Sequence, residues 1–118
     1  MKILSPTMHG VVDYATVLLF LAAPTVFELT GVGALISYGL AAVHLALTLA
    51  TAFPLGIGDL VPLSVHGLVE LVVAIVLFLL GFLGLGIEQG GGMFYMTMGV
   101  VIFLVWLLTD YGDPHPAP

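Results

Sequence analysis

The stretch Leu63–Leu85, LSVHGLVELVVAIVLFLLGFLGL, decides the fold. As an α-helix rising about 1.5 Å per residue, its 23 residues reach roughly 35 Å, enough to cross the ~30 Å hydrocarbon core of a bilayer. Its apolar residues run continuously instead of alternating, which argues against a strand of a membrane β-barrel. Three further runs of the same kind flank it: Met8–Leu29, Val32–Phe53 and Met93–Thr109. The residues between them turn chains readily, through positive φ, fixed φ or local side-chain bonds. They are Glu28 to Gly33, then Pro54, Gly56, Gly58, Asp59 and Pro62, then Gly86 to Gly92 with its triple glycine, read as a flexible loop. Four spans with short loops account for nearly all 118 residues.

Composition agrees. Hydrophobic residues make up 61% of the chain and charged ones 7%, against about 25% charged in a soluble domain. The formal charge of −6, with one Lys and no Arg, argues against nucleic acid and against a polybasic lipid-binding patch. With no cysteine there is no disulfide, thiolate metal site or Cys nucleophile. Met1-Lys2 and the apolar run to Ala22-Ala23-Pro24 have the outline of a signal peptide. His9 and Asp13 lie inside that run, and its pattern recurs later, so it reads as a retained first span. Lys2 places the termini in the cytoplasm by the positive-inside rule. Trp106, Tyr14, Tyr95 and Tyr111 fall toward span ends, where amphipathic rings favour the interface.

One motif occurs twice. His9-Gly10-Val11-Val12-Asp13 matches His66-Gly67-Leu68-Val69-Glu70 at an offset of 57 residues, and Thr51-Ala52-Phe53-Pro54 resembles Thr109-Asp110-Tyr111 at 58. The chain therefore reads as an all-α membrane protein, a single four-helix bundle made of two parallel helical-hairpin repeats. Repeat 1 covers about 5–56 and repeat 2 about 62–111, with a Pro-rich, extended tail over 112–118.

Ser5-Pro6-Thr7-Met8-His9-Gly10-Val11-Val12-Asp13-Tyr14, the Thr51–Pro62 loop and His66-Gly67 together resemble small bacterial four-span membrane proteins of the SPW-repeat type. The resemblance covers most of the chain. The Ser-Pro-Trp motif itself is missing: Ala23-Pro24-Thr25 and Gly81-Phe82 stand near its two places. The resemblance implies a four-span fold in the bacterial cytoplasmic (inner) membrane and no particular activity.

Ionisable groups in hydrocarbon cost about 2.5–3.5 kcal/mol at mid-span and so need a reason. His9 and Asp13 share a helix face, as do His66 and Glu70. Ser37, Ala41, His44, Thr48 and Thr51 form a small and polar stripe on the second span that should face the bundle interior. One half of the bundle thus collects three histidines and two carboxylates. The plainest reading is a polar brace in a structural, accessory or binding protein with no catalytic residues. Such a protein would work in the lipid bilayer as a homo-oligomer or as a subunit of a larger membrane complex.

A second reading is a cofactor site. His9, Asp13, His66 and Glu70 are suitable ligands for a divalent metal. Alternatively His9 and His66, with His44, would bind haem, Gly10 and Gly67 leaving room for the macrocycle. The order His-x-x-x-Asp/Glu differs from the Glu-x-x-His of di-iron bundles. A third reading is proton or small-ion conduction through His44 and the carboxylates.

Overall fold

The computed structural model describes residues 2–84 and 91–112. The described chain is all-helical: α1 (Pro6–Val26), α2 (Gly31–Ala50), α3 (Leu63–Leu83) and α4 (Gly91–Leu108). All four are long and apolar enough to cross a membrane. The loop expected over 86–90, the end of the third span at 85 and the tail over 113–118 lie outside the described residues.

Local chemistry sets the helix ends. The Ser5 hydroxyl accepts a hydrogen bond from the Met8 amide at 3.2 Å, and Pro6 follows at the first helical position, where its missing N–H costs nothing. Gly84 closes α3 in the left-handed region at φ 65°, a conformation glycine adopts without strain. Pro24 lies within α1 and cannot bond back to the Phe20 carbonyl. The Ser37 hydroxyl of α2 donates to that carbonyl at 2.6 Å. A polar residue in one helix therefore satisfies the backbone group that a proline frees in its neighbour, as an apolar surrounding requires.

Within each hairpin the helices pack closely, α1 on α2 and α3 on α4. At Gly99 an added Cβ would lie 2.7 Å from the Ala74 carbonyl oxygen and the Phe78 amide nitrogen, so the backbones of α3 and α4 touch there. Gly91 and Gly92 were expected in a loop. They form the first turn of α4 instead, where an absent side chain lets Gly92 meet the backbone of Gly81.

Short backbone straps tie the hairpins together. Ile3 and Leu4 donate to the Leu108 carbonyl, and Asp110 donates to Leu4, so the segment before α1 lies along the segment after α4. Likewise Ala52 donates to Val61 and Val61 to Ala50, joining the segment after α2 to that before α3. The Lys2 ammonium donates to the Leu107 carbonyl at 3.3 Å, near the negative end of α4.

The apolar core is built from Val17, Phe20, Ala41, Ala74, Leu77, Tyr95, Met98 and Ile102. Tyr95 departs from its expected interfacial place: it is fully buried, and its hydroxyl donates to the Gly33 carbonyl. That bond satisfies the phenol inside the bundle, so the ring needs no water. Leu18, Leu35, Val43, Val72, Val76, Phe82 and Leu104 project outward and are exposed. A bilayer would cover such side chains.

Candidate metal centre

His9 and Asp13 lie one turn apart on α1, and His66 and Glu70 one turn apart on α3. The fold brings all four side chains into one buried cluster in which both histidines are 0% exposed, Asp13 1% and Glu70 3%. The polar stripe of α2 turns the same way, with Ser37, Ala41, Thr48 and Thr51 buried. His44 of α2 reaches the carboxylates as well.

The contacts are paired. His9 Nε2 lies 3.1 Å from Asp13 Oδ1 and 3.0 Å from Glu70 Oε2. His66 Nε2 lies 3.1 Å from Asp13 Oδ2 and 3.3 Å from Glu70 Oε1. Each carboxylate therefore presents one oxygen to each imidazole. Despite these short distances, neither Nε2 makes a well-aligned hydrogen bond, and Asp13 Oδ2 makes none.

The other nitrogen of each ring is occupied. His9 Nδ1 lies 2.8 Å from the Thr109 hydroxyl, and His66 Nδ1 lies 2.7 Å from that of Thr51. Both hydroxyls already donate to the carbonyl four residues back, Thr109 to Val105 and Thr51 to Leu47. A hydroxyl has one proton, so each threonine must accept from the imidazole. The network thus assigns the proton to Nδ1 in both rings. In a neutral ring, Nε2 then carries a lone pair directed into the cluster.

The surroundings hold the rings in place. A Cβ on Gly10 would fall 2.3 Å from Phe53 Cε2, and one on Gly67 would fall 2.7 Å from Tyr111 Cε1. Both aromatic rings press on helix backbone beside a cluster histidine. The Tyr111 hydroxyl donates to Glu70 Oε2 at 3.3 Å. Burial, and next the neighbouring Glu70 charge, hold this phenol above its ordinary pKa range, so it remains a donor. Tyr14 extends from α1 to bond the Leu55 carbonyl at 2.7 Å, fixing the loop that carries Phe53.

The packing beside the two glycines bears on the haem expectation. The spaces beside Gly10 and Gly67, read as room for a macrocycle, are filled by Phe53 and Tyr111. The rings of His9 and His66 are 5.3 Å apart at 76°, with both Nε2 atoms against the same two carboxylates. Among the described residues, this spacing leaves no room for a macrocycle between the two rings.

The spacing admits a small ion. Metal–nitrogen and metal–oxygen bonds run about 2.0–2.2 Å, so adjacent ligand atoms sit about 3.0 Å apart in an octahedron and about 3.4 Å apart in a tetrahedron. The four nitrogen–oxygen separations of 3.0–3.3 Å, which span both oxygens of each carboxylate, fall in that range and are equally those of ion pairs. One ligand atom from each of His9, Asp13, His66 and Glu70 lies within 4.8 Å of all the others. Beyond the cluster, toward the Glu28 end, the interior is filled by Val17, Phe20, Leu77 and Met98.

Sequence reasoning missed Thr51 and Thr109 as the groups that orient the histidines, and Tyr111 as a partner of Glu70. The signal was the second, weaker repeat, in which Thr and an aromatic residue two positions later recur just after the even spans. Comparison with known proteins adds nothing to this picture: no family model, curated protein or solved structure matches the chain.

Proposed function

We propose that this chain is a small integral membrane protein that binds one divalent transition-metal ion between its two hairpins and has no catalysis of its own. One observation carries the reading. Two fully buried histidines, with Nδ1 committed to a threonine, turn Nε2 onto the same two buried carboxylates without a well-aligned hydrogen bond. Nδ1 bonding of this kind orients imidazole ligands in metal sites generally.

Charge supports the same reading. Two carboxylates with neutral imidazoles carry −2, which a low-dielectric interior penalises heavily. One divalent ion brings the sum to zero. A brace of two imidazolium rings would balance the charge equally well, and metal uptake separates the two readings. The filled interior toward Glu28 weighs against ion flux through the bundle.

The matching threonine anchors and backbone straps support descent from a duplicated hairpin. Exposed apolar faces and short described loops fit a protein that works as a homo-oligomer or beside a larger membrane partner. Lys2 supports cytoplasmic termini in a bacterial inner membrane.

The test is elemental analysis of protein purified in mild detergent, followed by titration of the stripped protein with Zn²⁺, Fe²⁺, Co²⁺ and Mn²⁺. One ion per chain is expected, lost in His9→Ala and His66→Ala while circular dichroism still reports the helices. Metal-free protein that takes up none of the four ions would overturn the proposal and leave the cluster as a brace.

A further inference from the structure

His44 stands apart from the other two histidines. Its Nε2 is buried and has no hydrogen-bond partner. It lies 3.4 Å from Asp13 Oδ1 and 3.9 Å from Glu70 Oε1. Those oxygens belong to different pairs, the first also facing His9 and the second also facing His66. His44 therefore overlies the set of four ligands instead of extending one edge.

Two features distinguish its surroundings. Among the described residues, no hydroxyl fixes its Nδ1 as Thr109 and Thr51 fix the others. Its ring also borders a cavity of about 30 Å³ between α2 and α3, walled by Val43, Leu47, Val69 and Val73 with Phe20 and Leu40. The position 57 residues further along, where a matching ligand would stand, is Val101. The third nitrogen comes from the first hairpin alone.

Resting on the metal-binding reading, we infer that His44 is a further metal ligand. It closes by less than about 1 Å to complete a three-nitrogen, two-carboxylate set, and the site thereby selects ions favouring five or six ligands, such as Fe²⁺, Mn²⁺ or Co²⁺. Structural Zn²⁺ sites are almost always four-coordinate and tetrahedral, and proteins discriminate among divalent ions largely through geometry and ligand type. A fifth ligand from a third helix supplies that discrimination. It also joins α2 to the ion, so that three of the four helices contribute ligands.

Cobalt tests this directly, because tetrahedral Co²⁺ gives intense visible d–d bands and higher-coordinate Co²⁺ gives weak ones. The full chain in detergent is loaded with Co²⁺ alone. Weak bands are expected for the native protein. A shift to intense bands is expected for His44→Ala, with weaker Co²⁺ affinity. X-ray absorption on the native Co²⁺ protein should count three imidazoles, a readout that survives even if the variant fails to fold. Intense bands in the native protein, unchanged in His44→Ala, or a count of two imidazoles, would overturn the role of His44 while leaving the metal centre standing. No Co²⁺ uptake by the native protein would overturn this inference, and the metal centre itself falls only if Zn²⁺, Fe²⁺ and Mn²⁺ are refused as well.

Discussion

Replacing Thr109 with valine isolates the contribution of one hydroxyl to the centre. The two side chains have nearly the same shape, and Thr109 is fully buried, so packing is conserved. What disappears is the acceptor 2.8 Å from His9 Nδ1 and the donor to the Val105 carbonyl. His9 then has two choices. It keeps its proton on Nδ1 without a partner, at about 1–3 kcal/mol for an unsatisfied buried donor. Or it moves the proton to Nε2 and loses the lone pair that would bind the ion. The metal-free ring escapes the cost by moving its proton to Nε2, which faces the carboxylates, so either penalty falls on the metal-bound state. At about 1.4 kcal/mol per decade, the first corresponds to roughly 5- to 150-fold in affinity. Loss of such outer groups in metal sites generally costs about 10- to 100-fold. Thr109→Val should therefore raise the metal Kd by about 10- to 100-fold, read by competition against a chromophoric chelator in detergent. Thr51→Val should match it, because its bond to His66 Nδ1 is 2.7 Å. Thr109→Ser keeps the hydroxyl and should bind like the native protein. Thermal unfolding of the metal-free variants controls for general damage. A native Kd in Thr109→Val, with one ion still bound per chain, would refute the assignment of the proton to Nδ1.

Two further outcomes follow from the packing of the helices. Ser37→Ala should destabilise the protein by about 0.6–1.7 kcal/mol, the range seen for hydrogen bonds between membrane helices. The loss should shrink when Pro24→Ala restores an amide that bonds the Phe20 carbonyl. A double-mutant cycle in detergent unfolding reads the coupling, and purely additive effects would sink the idea that Ser37 compensates for Pro24. Gly99→Ala should weaken the α3–α4 hairpin, since its methyl would press on the Ala74 and Phe78 backbone at 2.7 Å. Gly39→Ala has open space around its Cβ and should be neutral or stabilise by roughly 0.5–1 kcal/mol through helix propensity. Equal losses at both glycines would count against the close approach at Gly99.

Much of the fold is legible in the sequence because a bilayer imposes a one-dimensional rule. Each span must be long, apolar and helical to satisfy its own backbone, so hydropathy locates α1 to α4 within a few residues. Helical periodicity likewise places His9 with Asp13, His66 with Glu70, and the Ser37–Thr51 stripe on single faces. Span ends were less legible. Gly91 and Gly92 read as loop because glycine favours turns, yet contact with Gly81 draws them into a helix. Tyr95 read as interfacial because phenols favour that depth, yet the Gly33 carbonyl holds it in the core.

Composition and periodicity are enough for the class of protein, the four helices and the residue types that must hide from lipid. That these residues meet in one cluster follows from how the helices dock. Thr109 orients His9 across 100 residues of chain, and Tyr111 meets Glu70 across 41. Phe53 and Tyr111 close the glycine gaps that had read as space for haem. Periodicity records which face a side chain occupies, because that depends on neighbours a turn away. It does not record what stands opposite, because a hydrogen bond between helices is set by how their backbones dock.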